Sequence, residues 1–242
     1  MLEVIEILGR SEQGQTEPFI CRCNDNEIYF IKGLHAGRTS QVHEWVGANM
    51  AAAFGLPIPP FAIVNVDEVF SLTPEGAGLG SGPAFASQKI NVTELSYMMV
   101  KDVPVQLQRD VLAFDWWIKN PDRWLSESGG NPNLFWDPKS SELVVIDHNL
   151  AFDTKFNPSD FLSYHVFKDQ AKSVFDDMVS RLHYEERFDK ALKSYDSCAA
   201  EIPDCWSFND LEMTVPANWL IDTPCHREIL AGFKLHNFWR AA

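Results

Sequence analysis

The sequence predicts a two-lobed α+β fold, with a small β-rich lobe carrying one helix and then a larger, mainly helical lobe. Three observations lead there. Extended apolar stretches crowd the first 35 residues, a one-faced helix follows at residues 40–54, and beyond residue 159 the patterning is helical and amphipathic. The length of 242 residues suits one large domain or two small lobes.

Leu2, Val4, Ile5 and Ile7 open the first predicted strand. Phe19–Cys23 and Glu27–Ile31 are predicted as two more, joined by a tight turn at Asn24-Asp25-Asn26. Between the first two lies a small, polar stretch from Gly9 to Thr16. The helix expected from Ser40 to Phe54 places Val42, Trp45, Val46, Asn49, Met50, Ala53 and Phe54 on one stripe. Ser40 is its expected N-cap, and Gly55 and Pro57 stop it. Phe61–Val66 and Val69–Leu72 read as strands. Thr73–Pro83, with four glycines and two prolines, reads as a loop. The extended segment Phe85–Val92 marks the boundary between an N-lobe, 1–88, and a C-lobe, 89–242. A second helix is expected from Pro104 to Asn120, with Leu107, Val111, Phe114 and Ile118 on one face. Residues 121–153 alternate loop and short strand, and Val144-Val145-Ile146 is a short apolar run suited to burial. Breaks near Ile202-Pro203 and Val215-Pro216 divide the helical remainder.

Composition narrows the function classes. Hydrophobic residues make up 45% of the chain and charged residues 22%, which suits a globular protein and excludes disorder. A formal charge of −14 disfavours direct binding to nucleic acid and docking on anionic membranes. No apolar run reaches the ~18–20 residues of a bilayer span. The opening MLEVIEILGR lacks a basic n-region, so a cytoplasmic location is expected. Cys21, Cys23, Cys198, Cys205 and Cys225 match no zinc spacing and are expected as reduced thiols.

The chemistry concentrates in the middle of the chain. Asp122 follows a long helix, Asn133 comes eleven residues later, and Asp147 closes the Val-Val-Ile strand. Phosphoryl transfer from a nucleotide uses such a set: one carboxylate orients the attacking hydroxyl, while a carboxylate and an amide oxygen hold magnesium on the phosphates. Asp122 alone would be an ordinary turn acid. Asp147 is less ordinary, because a carboxylate closing a buried strand is costly without a partner. Upstream, Lys32 ends a strand on the face of Ile28 and Phe30, and Glu44 on the next helix can pair with it. The Gly9–Thr16 stretch can bring backbone N–H groups to phosphates.

The order of these parts matches a protein-kinase-like fold, but the motifs depart from typical protein kinases. There, His-Arg precedes the catalytic Asp and Phe-Gly follows the metal-binding one. More closely, YFIKG (29–33), HEWVGANMAAAFGLPIPP (43–60), FASQKI (85–90), FDWWIKNPDR (114–123), NPNLFW (131–136) and VVIDHNLAF (144–152) resemble the compact HipA-like kinase domains of bacteria. The resemblance covers roughly residues 5–170. It implies that Lys32 contacts the nucleotide phosphates, with Glu44 as its ion-pair partner. By the same resemblance Ser11, Gly14 and Thr16 lie in the phosphate loop, and Phe85, Ser87 and Gln88 belong to a strap meeting the adenine. Asp122 is then the catalytic carboxylate, and Asn133 and Asp147 bind Mg2+. Asn133 is preferred to Asn131 because Leu134-Phe135 follows it.

Three departures stand out. The interval from Asp122 to Asn133 is longer than in the relatives and contains Gly129 and Gly130. His148-Asn149 replaces Phe-Gly. The chain also leaves no room for the extra N-terminal subdomain of the larger HipA toxins, so no toxin role is carried over. His148, His165 and the Trp116-Trp117 pair are expected as core or supporting residues. The acids Asp176, Asp177, Glu185 and Glu186 are expected on a solvated face.

The expected function is an ATP- and Mg-dependent kinase acting on a hydroxyl, with a protein serine or threonine as the acceptor the resemblance implies. The alternatives are a small-molecule or lipid-headgroup kinase, and a nucleotide-binding pseudokinase acting as a regulatory module.

Overall fold

The computed structural model describes residues 2–11, 17–137, 140–210, 212–221 and 226–240. The chain mixes strands and helices in two compact units, each assembled from separate stretches, whereas the sequence suggests two continuous lobes, 1–88 and 89–242. The first unit comprises Met1–Trp45, Pro59–Asn91 and Glu201–Asp222; the second comprises Val46–Ile58, Val92–Ala200 and Thr223–Ala242.

The first unit is built on a closed barrel. Strands β1 (Leu2–Arg10), β2 (Phe19–Cys23) and β3 (Ile28–Lys32) form an antiparallel meander. The helix α1 (Arg38–Phe54) follows, then β4 (Phe61–Val66), the one-turn helix α2 (Glu68–Ser71) and β5 (Gly82–Gln88). Strand β5 inserts between β3 and β4, and a short parallel pairing of β1 with β4 closes the barrel. The inward residues of the period-two alternation form its core: Val4, Phe19, Cys21, Cys23, Tyr29, Ile31, Val64, Val66 and Ala86 among them. Cys21 and Cys23 are therefore barrel-filling thiols, and burial pushes Cys21 up to about 12. Cys205 is likewise a free thiol, Cys198 is buried, and Cys225 lies outside the described residues.

Two expectations about local structure need correction. Helix α1 starts at Arg38, two residues before Ser40. Residues Val69–Leu72, expected as a strand, instead follow the single turn of α2. Asp67 caps that turn by accepting from the Val69 N–H at 2.9 Å, a local bond that competes with strand pairing. The stop of α1 is as the sequence implies. Gly55 takes φ +95°, and both its N–H and that of Leu56 return to the Ala51 carbonyl.

In the second unit, the short strand β6 (Thr93–Glu94) precedes helix α3 (Val105–Trp117). Two hairpins follow: β7 (Trp124–Ser126) with β8 (Gly129–Asn131), and β9 (Leu134–Asp137) with β10 (Glu142–Val145). Helices α4 (Pro158–Tyr164), α5 (Ala171–Phe175) and α6 (Met178–Leu192) complete the frame. Many of the chain's 17 phenylalanines and eight tryptophans gather here. Phe54, Phe114, Trp117, Tyr184, Phe188 and Phe233 form one ring cluster, with Trp117 and Phe188 stacked at 4.6 Å between centroids. Trp116 and Trp117 are core, and their indole N–H groups donate to the carbonyls of Phe238 and Leu230.

Candidate active site

Lys32 ends β3. Its neighbour Ile31 points into the barrel, so alternation turns Lys32 outward, where α1 covers it. Its ammonium is ion-paired with the Glu44 carboxylate, and the two residues are only 7% and 2% exposed. Removing either partner would leave a buried charge, typically a loss of ~3–5 kcal/mol. Ser11 follows β1, and its N–H donates to the Pro18 carbonyl at 2.9 Å. Gly14 and Thr16 lie outside the described residues.

Phe85, Ser87 and Gln88 stand on β5, opposite Lys32, Phe30 and Tyr29 of β3. Strand β5 is paired on both edges, with β3 and β4, and the backbone N–H groups of Gln88 and Lys89 donate to Pro60 and Ile28. Phe85 is buried and stacks with Phe61. Ser87 and Gln88 are half-buried, and the Gln88 amide reaches Glu27 at 3.0 Å.

The second unit gathers the remaining residues. Helix α3 ends before Asn120-Pro121, and Asp122 sits in the loop beyond. Its backbone N–H is held by the buried Asn120 side chain at 3.3 Å. One oxygen, Asp122 Oδ2, accepts from two amides: Asn131 Nδ2 at 3.0 Å and Asn133 Nδ2 at 3.2 Å. Burial raises the Asp122 pKa above the ordinary carboxylate value, the Asp147 carboxylate raises it further, and the amides and Arg123 oppose both effects. Asp122, Asn133 and Asp147 are thus one cluster.

Asn133 and Asp147 both adopt left-handed backbone, at φ +49° and +58°, which non-glycine residues rarely hold unless their surroundings impose it. The two loops are stitched directly, Ile146 N–H donating to the Asn133 carbonyl at 3.1 Å.

Two carboxylates that repel each other beside an amide suit a divalent cation. Among the described residues, no three His, Cys, Asp or Glu side chains gather as a complete metal cage. Magnesium on a nucleotide needs none, since it takes one or two protein carboxylates and completes its shell with phosphates and water. The donor set therefore fits. His148 is 2% exposed, with Phe114 edge-on to its ring, and packs so tightly on Gly47 that a Cβ there would lie 2.4 Å from the His148 Cβ.

The sequence reading passed over one residue, Asn131, in favour of Asn133, and missed a second set altogether. Asn131 joins Asn133 on the same Asp122 oxygen; their i, i+2 spacing along extended chain was the available signal. The other is the fully buried pair Asp115 and Arg123, completed by His165. Arg123 Nε donates to Asp115 Oδ2 at 2.7 Å, and His165 Nε2 meets the same oxygen at 3.0 Å. The signal was an acid between Phe114 and Trp116 on a helix face too apolar to leave it unpaired.

A β-barrel unit bearing a buried Lys–Glu pair, with an Asp–Asn–Asp cluster on a second unit, is the equipment of a kinase. A family model for HipA-like kinases matches residues 4–242, and the chain belongs to that family. The match runs through the tail, well past the motifs visible in the sequence. Among solved structures, the chain is similar to the Helicobacter pylori proinflammatory kinase CtkA, with a TM-score of 0.53 and 11% identity over 96% of this chain and 90% of that one. That likeness establishes a shared fold. No curated protein sequence matches significantly. Among the described residues, no helix is long and apolar enough to cross a membrane.

Proposed function

We propose that the protein is an ATP- and magnesium-dependent kinase whose acceptor is a protein serine or threonine hydroxyl. The observation that carries this reading is the cluster of Asp122, Asn133 and Asp147, in which a proton-attracting carboxylate adjoins a second carboxylate and an amide. The acceptor oxygen attacks the γ-phosphorus, the bond to the β,γ-bridging oxygen breaks, ADP departs, and the hydroxyl proton passes to Asp122. Asn133 turns its amide nitrogen to Asp122, which leaves its carbonyl oxygen as the end that would ligate magnesium together with Asp147. Magnesium, when bound, neutralises the phosphate charge. Lys32, oriented by Glu44, would bind the phosphates, joined by the segment of Ser11, Gly14 and Thr16, in which the Ser11 N–H is already donated to Pro18. On the adenine side, Phe85, Ser87 and Gln88 would act through side chains and carbonyls, since the Gln88 N–H is already donated. The net charge of −14 favours basic peptide acceptors over anionic lipid.

Transfer of label from γ-labelled ATP to basic peptides containing serine or threonine tests this reading. Asp122→Asn should lower transfer by about 10²-fold or more, the usual worth of a positioned base. Label appearing only on phosphoinositides or small alcohols, or an undiminished rate in Asp122→Asn, would overturn it.

A further inference from the structure

Arg123 makes more bonds than a counter-ion for Asp115 requires. Its side chain is fully buried. While Nε and Nη2 engage Asp115, Nη1 donates to three main-chain carbonyls: Pro132 at 3.2 Å, Asn133 at 2.7 Å and Ile146 at 3.1 Å. These carbonyls belong to the peptide units that flank Asn133 and lead into Asp147, both of which hold left-handed backbone. One planar guanidinium thus bridges both strained loops, and only the fork geometry of arginine can do so. Asp115 is fixed in turn by Asn120 Nδ2 at 3.2 Å and by His165. His165 Nδ1 accepts from the Phe167 N–H at 3.1 Å, so Nε2 carries the proton and donates to Asp115. The loop itself is anchored by Val166 N–H donating to the Arg123 carbonyl at 3.0 Å.

We propose that Arg123, held by Asp115 and His165, is a positioning residue that sets the metal-ligating geometry of Asn133 and Asp147. This rests on the magnesium–nucleotide reading of the site. Residues supporting metal ligands from behind commonly alter metal affinity ~10–100-fold when changed. Lysine at position 123 keeps the charge but cannot span Asp115 and three carbonyls.

The test is thermal stabilisation by ATP, titrated with Mg2+ and run in parallel without metal, on wild type, Arg123→Lys and His165→Gln. Arg123→Lys should raise the Mg2+ midpoint about tenfold or more, while metal-free ATP binding stays at the wild-type value. In turnover assays kcat should fall more than the KM for ATP rises. A purely structural arginine would lower the melting temperature and leave the Mg2+ midpoint in place; that result in a folded Arg123→Lys protein overturns the proposal. If Arg123→Lys gives no cooperative melt, His165→Gln decides: a raised midpoint supports the clamp, and a wild-type midpoint overturns it. A wild type that Mg·ATP does not stabilise defeats the nucleotide-site reading itself and this inference with it. Stabilised wild type with unmoved variants defeats the inference alone.

Discussion

At the scale of single residues, the site depends on burying charge and then answering it. Burial alone would raise Asp115, but the guanidinium of Arg123 and the hydrogen bond from His165 outweigh it and hold the carboxyl at about 2. His165 is pushed below its ordinary value by burial, against the opposing pull of Asp115, so it is neutral in the folded protein. Both shifts act in the same direction with pH. The unfolded chain protonates its histidine first as pH falls through about 6.5, and stability contributed by neutral His165 is lost from there downward. Stability from ionised Asp115 persists to lower pH and disappears between about 4, the unfolded value, and about 2. Urea midpoints at pH 7 and pH 5 should therefore fall more steeply for wild type than for His165→Gln. Equal slopes would contradict the assignment of a buried neutral histidine. None of this was readable from spacing, because residues 115, 123 and 165 meet only through the fold. Asp122 and Asp147 could be picked out because each follows an element whose apolar pattern is plain. Asn133 was preferred to Asn131 on the family resemblance, and the roles of all three belong to the proposed function.

At the scale of elements, α1 illustrates both what patterning reveals and what it hides. Its stripe of Val42, Val46, Met50 and Phe54 is buried as the helical period requires. Every residue from Gln41 to Ala48 is buried too, so the one-faced pattern expected from the sequence describes only the second half of the helix. Gly47 carries no such signal. It lies mid-helix, where glycine costs about 1 kcal/mol relative to alanine, so propensity alone makes Gly47→Ala a stabilising change. The His148 contact reverses the sign. A Cβ 2.4 Å from the His148 Cβ forces the helix or the Asp147–His148 loop to move, and overpacking of this kind costs ~1–3 kcal/mol. Gly47→Ala should lower the denaturation midpoint, and a stabilised variant would show that the loop can yield freely. The misread segment at Val69–Leu72 makes the complementary point: its apolar residues suggest pairing, but one Asp67 cap turns the chain into helix. Both Val69 and Leu72 stay exposed, as a strand in the barrel would not allow.

At the scale of the whole molecule, the order of parts was legible and the closure of the chain was not. A strand lysine, a helical glutamate, a second long helix and the Asp–Asn–Asp series appear in kinase order along the sequence, and the family match agrees. The tail gave no comparable reading, because several of its partners lie more than a hundred residues away. Residues 201–222 join the barrel unit, where the Trp206 indole donates to the Pro83 carbonyl at 2.9 Å. The segment after them packs with α3, where the Trp117 indole meets the Leu230 carbonyl at 2.7 Å. Such contacts leave no periodic trace in the tail itself. The claim on which the rest depends is that this kinase fold holds a magnesium nucleotide through Asp147. A thermal-shift titration with Mg·ATP on wild type and Asp147→Asn tests it most directly. A ligand at ~100 Kd stabilises the native state by about 2.7 kcal/mol, an easily measured rise. The expected result is a magnesium-dependent increase in wild type that largely disappears in Asp147→Asn. No increase in wild type at millimolar nucleotide, or an equal increase in both proteins, would contradict it.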